Sequence, residues 1–375
     1  MSTNPALQDH LAPSSASASA NAPSNRLSWG LFVATLNRIE ALEECVRCAL
    51  MQTRLPHEVV VVDASAGWEV HHQRIAALTA KAGVPLVYLP ALQKSASVQR
   101  NQAVAAGTSD ICFLIDDDSF MHPDCAEEIM QVYEADLSGN ILAVAASDAP
   151  PASEHATTME RKAGGIRDRK FRRFSKLPGF RWLWRNVAMM GAEKVFIPYD
   201  GPFQRGIPQE LGKDLPIVPV SLSGGYKMTA RRKALLLHPF EEAFQSYAPA
   251  EDLDFFYRVT RSGFLVRALN ARLYHHEVAA TRIKRQTATL LSITNIAFLV
   301  RKHSKRQGTH QMMFAIMLLR RLLAEFIKDV ASRRWRLDQA RAVLRAVPIC
   351  VKIFRLERSE LRGWYVARQL QVLGK

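Results

Sequence analysis

Short apolar runs alternate with amphipathic stretches along the first 115 residues of the chain. The apolar runs, each of the length of a buried strand, are 29–34, 58–63, 84–89 and 111–115. Between them, apolar residues recur at helical spacing over 39–51, 69–82 and 95–106. Strands and helices in alternation are typical of a parallel sheet covered by helices. The pattern therefore predicts an α/β fold with a mostly parallel sheet flanked by helices.

Polar side chains lie where three of the predicted strands end. The first strand runs into Thr35, the second ends at Asp63, and the fourth is followed by Asp116–Asp118. Because side chains alternate along an extended chain, the first and third of these aspartates face the same way. Open α/β sheets bind ligands at this edge, and carboxylate oxygens suit a Mg²⁺ or Mn²⁺ ion that holds phosphates. The alternative is an acidic turn before a helix that starts at 122–124.

Other nucleotide and metal motifs are absent from the sequence. The chain has no G-x-G-x-x-G and no G-x-x-x-x-G-K-[ST], so neither a dinucleotide fingerprint nor a P-loop is supported. Cys45 and Cys48 lie in a helical pattern with no second Cys/His pair nearby, which indicates core thiols rather than a metal or redox site.

The positive charge of the chain is concentrated in its last quarter. The net charge is +15, and residues 279–375 carry 21 Lys and Arg against 5 Asp and Glu, a net +16. Apolar residues recur at helical spacing there, with basic residues between them. A basic amphipathic extension of this kind favours an anionic membrane surface, and nucleic acid is the less favoured partner. The other interpretation is a helical bundle packed on the rest of the chain with a solvated basic face.

The two ends of the chain lack membrane-spanning signals. Residues 1–27 are rich in Ser, Ala, Asn and Pro and have no basic start or apolar run, so we expect a disordered arm rather than a signal peptide. No apolar stretch reaches the roughly 18 residues that a membrane span needs. We therefore expect a cytoplasmic protein, peripheral on the inner face of the membrane.

Six segments resemble, in order and in spacing, family 2 glycosyltransferases of the GT-A fold. They cover roughly residues 28–280 and are Val33–Arg38, Val61–Asp63, Arg100-Asn101, Phe113–Asp118, Ser223–Met228 with Arg231-Arg232, and Glu251–Arg258 with Gly263. The resemblance implies a GT-A-like sheet and an inverting, nucleotide-sugar-dependent transferase.

The resemblance also implies roles for individual residues. Asp116 and Asp118 would hold a Mg²⁺ or Mn²⁺ ion, with one of His275 and His276 completing the metal or diphosphate site. Asp252, with Glu251 beside it, would be the general base, and Gly224-Gly225 would lie on the acceptor side. The residues expected to bind the nucleotide are Thr35, Asn37, Arg38, Asp63, Arg100, Asn101, Asp116 and Asp117.

The chain departs from the family pattern at three places, and at the first of them Ala34-Thr35-Leu36 stands where Pro-Thr-Tyr is more usual. Ala64 stands where family members often carry a second acid, which affects recognition of the nucleotide's base. No Gln-x-x-Arg-Trp follows the Glu251–Arg258 helix, which argues against a processive polymerase. Independently of the family, acids at 251 and 252 after Pro249 are also what a helix N-terminus favours.

Residues 151–215 form an insertion in which basic and aromatic residues are interleaved. It is interpreted as a mobile lid, a membrane contact or a plain structural loop. Contact with single-stranded nucleic acid is less favoured, because no RNA-binding motif accompanies it.

The sequence thus predicts three parts: the arm 1–27, a catalytic domain 28–278, and a basic helical extension 279–375. The catalytic domain divides into a nucleotide and metal half, 28–150, the insertion, and an acceptor half, 216–278. The expected activity is hexosyl or deoxyhexosyl transfer to a glycan, which is either free or lipid-linked, in polysaccharide biosynthesis. The alternative is a non-catalytic nucleotide-binding module whose basic tail binds membrane or nucleic acid. A phosphatase or nucleotidyltransferase using Asp116 lacks supporting motifs.

Overall fold

The computed structural model describes residues 26–151, 182, 191–204, 206–208, 211, 215–276, 283–331, 333 and 335–374. The strands are β1 Trp29–Thr35, β2 Glu58–Asp63, β3 Leu86–Pro90, β4 Ile111–Leu114, β5 Ser119–Met121, β6 Ile141–Asp148, β7 Ile217–Pro219, β8 Met228–Arg231 and β9 Phe264–His275. The helices are α1 Ile39–Leu50, α2 Trp68–Ala82, α3 Ala96–Ala106, α4 Cys125–Ala135, α5 Ala192–Val195, α6 Arg232–Leu237, α7 Glu251–Ser262, α8 Arg285–His303, α9 Gln307–Ala331, α10 Asp338–Arg355 and α11 Arg358–Val372.

The strands form one sheet in the order β3-β2-β1-β4-β8-β6-β9-β5, with β7 also paired to β9. The four strands predicted from the sequence pair in parallel, as β1 with β2, β1 with β4, and β2 with β3. The later strands add antiparallel pairs, since β8 runs against both β4 and β6. The predicted α/β architecture, a mostly parallel sheet flanked by helices with a C-terminal helical extension, is confirmed, with antiparallel strands added in its second half.

Both faces of the sheet are covered, and the second strand shows this most clearly. All six residues of β2 are buried. Val59 and Val61 pack into the layer that contains α1 and α4, whereas Val60 and Val62 pack into the layer that contains α3 and α7. This two-sided burial explains why β2 reads as a continuous apolar run rather than as an alternating pattern.

The C-terminal helices share one core with the sheet region. Ile296 and Phe298 of α8 and Tyr365 of α11 lie in the same buried cluster as Phe244 and Phe255. Phe298 stacks on Tyr365, with ring centroids 4.9 Å apart. The extension is therefore packed on the segment that precedes and includes α7.

Several predicted segments lie wholly or partly outside the described residues. The described part of the predicted arm is residues 26 and 27, and the basic-aromatic part of the insertion, 161–185, is described at Trp182 alone. In the described part of the chain, no helix is long and apolar enough to span a bilayer.

Candidate active site

The predicted strand-end residues come together at one edge of the sheet. Thr35, the last residue of β1, is in register with Asp63, the last residue of β2. Asp116–Asp118 follow β4, which pairs in parallel with β1. The parallel half of the sheet thus brings residues more than 80 positions apart to a single site.

Arg100 on α3 connects two acidic groups of this site. Its guanidinium donates a hydrogen bond of 2.6 Å to Asp116 Oδ1 and forms an ion pair with Glu251. The second oxygen of Glu251 accepts a 2.6 Å hydrogen bond from the Ser97 hydroxyl. Burial raises the pKa of Glu251 to about 7, while Arg100 and Ser97 oppose that rise. Both Glu251 oxygens are therefore occupied by groups on α3.

Asp252 differs from its neighbour because the residue is partly exposed, whereas Glu251 is buried. One oxygen accepts a 2.9 Å hydrogen bond from the Gly225 N–H, and the other accepts a 2.8 Å hydrogen bond from the Leu253 N–H. A side chain at position 225 would begin 3.1 Å from Arg100 and 3.4 Å from Asp252, so glycine lets the backbone come this close. Of the two acids, Asp252 is the one whose carboxylate reaches neither Arg100 nor Ser97 by a hydrogen bond.

The surroundings of Asp252 allow its predicted role as general base to be tested by pH. Burial raises its pKa above the ordinary value of about 3.9. In its predicted role as general base, Asp252 works only when it is deprotonated, so we expect activity above this raised pKa and its loss as the pH falls through it. We expect the acid limb of kcat/KM against pH to lie above the ordinary pKa of an aspartate. A limb at the ordinary aspartate pKa, measured where the protein stays folded, would contradict this expectation.

Asp116, Asp118 and His275 form a group suited to a divalent cation. One ligand atom from each lies within 4.8 Å of the others, and His275 Nε2 lies 3.2 Å from Asp118 Oδ1. Two carboxylates and one imidazole are a donor set that Mn²⁺ accepts readily and Mg²⁺ accepts with added water. The ring of Tyr226 stacks on His275, with centroids 4.3 Å apart and planes at 10°. The group fits a divalent cation on its chemistry.

The direction of their side chains distinguishes the two candidate histidines. His275 ends β9 opposite Ser119 and faces Asp118. His276 stacks instead on Phe120, with ring centroids 5.8 Å apart, and its backbone N–H donates to the Asp118 carbonyl. Successive residues of an extended chain face opposite sides, so only His275 joins the carboxylate group.

Asp117 links the first strand to the acidic run. It accepts a 2.7 Å hydrogen bond from the Thr35 hydroxyl and a 3.0 Å hydrogen bond from Arg38. Arg38 also donates to Asp118 at 3.2 Å. Burial raises the pKa of Asp117 to about 6, and Arg38 opposes that rise. Thr35 and Arg38 thus hold the acidic run in place, and Arg38 offsets part of its negative charge.

Asp63 is enclosed by donors that the sequence did not indicate. Its carboxylate accepts hydrogen bonds from the Tyr88 hydroxyl at 2.7 Å and from the Ser65 N–H at 2.8 Å, and it lies 2.7 Å from His71 Nδ1. Trp68 stacks over Tyr88 next to this carboxylate, with centroids 6.3 Å apart. Only the parallel register of β2 and β3 brings Tyr88 to Asp63, and no local pattern signals it.

The two predicted asparagines have separate environments. Asn37 adopts a left-handed backbone, with φ of 54°, and its N–H donates to the Ser65 hydroxyl at 2.7 Å. It thereby joins the loops that follow β1 and β2. The side chain of Asn101 bonds the Phe240 carbonyl at 3.0 Å and Glu242 at 3.1 Å, so it anchors the segment that leads toward α7.

The loop 246–250, which delivers Glu251 and Asp252, has an unusual backbone that the C-terminal helices brace. Ser246, Ala248 and Ala250 have φ values of 60°, 46° and 73°, a region that costs non-glycine residues free energy. The buried Asn295 of α8 donates a 2.7 Å hydrogen bond to the Pro249 carbonyl and accepts one of 2.5 Å from the Tyr365 hydroxyl.

A second brace comes from α11, on the residues just before this loop. The buried Gln369 accepts a 3.1 Å hydrogen bond from the Gln245 N–H and donates one of 2.6 Å to the Ala243 carbonyl. Two helices of the extension therefore fix the backbone on which Asp252 stands.

Replacing Asn295 by Ala is expected to affect both stability and turnover. The change leaves the partly buried Pro249 carbonyl without its amide donor, which costs on the order of 1 kcal/mol of unfolding free energy. It also frees the loop before Asp252, so we expect kcat to fall while nucleotide affinity stays the same. Denaturant unfolding and steady-state kinetics measure the two effects, with Asn140→Ala on the exposed surface as control. Equal kcat in N295A and wild type would show that the brace has no part in the reaction.

Part of the chain matches a known protein family. Residues 31–191 match the model of Glycosyl transferase family 2. No curated protein matches the chain.

Three solved structures show distant similarity. S. aureus TarS is 14% identical with a TM-score of 0.44, and the match covers 79% of this chain and 44% of TarS. TarS 1–349 in complex with UDP is 14% identical with a TM-score of 0.45, covering 92% and 89% of the two chains. The mannosyltransferase PcManGT from Pyrobaculum calidifontis, solved with GDP-Man and Mn²⁺, is 13% identical with a TM-score of 0.47, covering 87% of each chain. The family resemblance drawn from the sequence is confirmed by the match of residues 31–191 to the model of Glycosyl transferase family 2.

Proposed function

We propose that the chain is a metal-dependent, inverting glycosyltransferase that moves one sugar from a nucleoside-diphosphate sugar to a hydroxyl of a glycan. The observation that carries this proposal is the link made by Arg100. This buried guanidinium bonds Asp116 of the candidate cation group and Glu251, the residue next to Asp252. A cation group linked through one side chain to the residue next to the proposed base suits a reaction in which a sugar lies between a diphosphate and an acceptor.

The proposed reaction needs one protein base. The acceptor hydroxyl gives its proton to Asp252 as its oxygen forms a bond to the anomeric carbon, and the bond from that carbon to the diphosphate oxygen breaks. The bonding electrons leave with the nucleoside diphosphate. A single displacement inverts the anomeric centre and requires no carboxylate nucleophile, in contrast to the two-carboxylate scheme of retaining hydrolases.

The other site residues bind and orient in this scheme. Asp116, Asp118 and His275 would hold a Mg²⁺ or Mn²⁺ ion, which neutralises charge on the leaving diphosphate when it is bound. Arg38 and Arg100 add positive charge beside the same carboxylates, and the edge that contains Thr35 and Asp63 would receive the nucleoside. Gly224 and Gly225 would line the acceptor side next to Asp252.

The finer features of the activity belong to the same proposal. We propose a catalytic domain, 28–278, and a basic extension, 279–375, whose helices brace the loop before the proposed base. The finer features also include a hexose or deoxyhexose donor and a lipid-linked glycan acceptor in polysaccharide biosynthesis. The +16 charge of the extension supports a peripheral position on the inner face of the membrane.

A nucleotide panel tests the proposal. Thermal unfolding of the full chain would be followed with each nucleoside diphosphate, with and without Mn²⁺. A ligand that binds only the folded state raises stability by mass action. We therefore expect the nucleoside diphosphate of one nucleobase to raise the unfolding temperature, and to do so only with Mn²⁺. Nucleoside diphosphates that shift stability equally with and without Mn²⁺ would contradict metal dependence. No shift with any nucleotide up to saturating concentrations would contradict the transferase itself.

A further inference from the structure

Helix α9 has an apolar face on each side, and only one of them is buried. Phe314, Met317 and Ala324 pack inward. The opposite side is an apolar surface that we call the outer face of α9, in which each side chain is 44–69% exposed: Met312, Ile316, Leu319, Leu323, Phe326 and Ile327. Most of these residues follow one another at spacings of four and three positions, so they form a continuous stripe along the helix. A continuous apolar stripe that is exposed on a protein surface marks an interaction site.

The charges around the outer face are basic. Arg320 lies within the stripe, Lys305 and Arg306 precede the helix, and Arg333 and Arg336 follow it, all of them exposed. Trp335, between the last two, is 73% exposed. An aromatic ring among arginines at the end of an apolar helix face is the composition of an interfacial membrane helix.

The acidic residues of the same helix are turned inward. Glu325 and Asp329 are the acids of the stretch 305–336, and both are buried. Glu325 pairs with Lys328, and Asp329 caps α10 by accepting hydrogen bonds from the N–H groups of Gln339 and Ala340. The outer face therefore presents apolar groups and cations with no carboxylate among them.

We propose that the outer face of α9 lies flat on an anionic lipid bilayer. A bilayer offers an apolar layer for the leucines and anionic headgroups for the surrounding arginines. A second copy of the chain fits less well, because a two-fold contact would place Arg320 of one copy in a surface that contains no acid. Helix α9 runs parallel to the membrane in this arrangement, consistent with the finding that none of the described helices can span one.

Membrane docking also has a consequence for the proposed reaction. Arg321 of α9 donates to the Ser292 hydroxyl of α8 at 3.2 Å, and α8 carries Asn295, which braces the loop before Asp252. The same helical bundle thus carries the proposed docking surface and braces the loop before the proposed base. A lipid-linked acceptor, which rests on the proposed transferase function, would then enter from the surface on which the protein is docked.

Vesicle flotation of the full chain tests the docking surface. The vesicles are phosphatidylcholine alone, or phosphatidylcholine mixed with phosphatidylglycerol. The variant L319E/L323E places two charges in the outer face, and Leu137→Glu, at a side chain that is 83% exposed elsewhere, is the matched control. We expect wild type and L137E to bind the anionic vesicles, and L319E/L323E to bind at least about tenfold more weakly. Arg320→Glu should weaken binding to the anionic vesicles and leave binding to the phosphatidylcholine vesicles unchanged.

Other outcomes would overturn the docking proposal. It fails if wild type stays unbound with anionic vesicles, or if L319E/L323E floats as wild type does. It also fails if sedimentation shows a stable dimer that L319E/L323E converts to monomer, which would assign the outer face to a second copy. The nucleotide panel, run on the same samples without lipid, separates the two proposals, because vesicle binding without any nucleotide shift leaves the docking surface intact and removes the transferase.

Discussion

Replacing Asp252 by Asn is expected to lower the rate of sugar transfer by about a thousandfold while nucleotide binding stays close to wild type. A positioned general base contributes roughly 10²–10⁴ in rate. Asparagine has the size of aspartate and can keep the hydrogen bond from the Gly225 N–H, which joins the two residues at 2.9 Å. It cannot accept the proton of the acceptor hydroxyl. The effect should therefore fall on kcat rather than on donor binding.

The test of Asp252 combines turnover with binding on the same preparation. Steady-state transfer gives kcat, and the thermal shift with nucleoside diphosphate and Mn²⁺ reports whether the donor site is intact. Asp200→Asn, at an exposed carboxylate outside the site, is the matched control and should behave as wild type. A D252N protein that transfers sugar at the wild-type rate would remove Asp252 from the mechanism. A variant that loses the nucleotide shift as well would assign it to donor binding instead.

The sheet could be predicted from the sequence because its strands are strongly patterned. Runs such as 58–63 are buried on both faces, and the carboxyl-end rule for parallel strands then places Thr35, Asp63 and Asp116 at one edge. These inferences use only local periodicity and chain order. The antiparallel pairing of β8 with β4 and β6, and of β9 with β5 and β7, depends on contacts between distant segments, so the strand pattern carried no signal for it.

The pairings inside the site could not be predicted for a related physical reason. Arg100 meets Glu251 across 151 positions, and Tyr88 meets Asp63 only through the register of two strands. Choosing His275 over His276 requires knowing which face of β9 meets Asp118, and a shift of one residue would reverse that choice. Side-chain direction is a property of the assembled sheet, whereas composition and spacing describe the chain before assembly.

The C-terminal extension shows where counting charge falls short. Its net charge of +16 suggested a tail that works apart from the sheet, and this was the basis of the non-catalytic alternative. Asn295 and Gln369, both fully buried, instead bond the backbone that leads to Asp252. A segment that shares the core with the sheet cannot be removed without exposing that core. The arrangement favours an extension that serves the same site as the sheet.

Replacing Asp118 by Ala is expected to abolish the Mn²⁺-dependent part of nucleotide binding and to lower transfer by roughly a thousandfold or more, since a bound cation supplies several kcal/mol at a phosphoryl leaving group. The Asp118 carboxylate lies 3.2 Å from His275 Nε2 and accepts a hydrogen bond from Arg38. Alanine leaves Asp116 and His275 as the two remaining donors of the group, and Arg38 keeps its contact with Asp117.

Asp118 is buried and paired, so its replacement also affects stability. Cation binding and stability are therefore measured separately. Titration of Mn²⁺ followed by electron paramagnetic resonance gives the cation affinity directly, without any turnover. Thermal unfolding of D118A is then compared with and without Mn²⁺ at a fixed nucleotide concentration, so that any loss of intrinsic stability cancels. Asp200→Asn again serves as the control. If D118A binds Mn²⁺ as wild type does, the group that Asp118 forms with Asp116 and His275 is not the cation site.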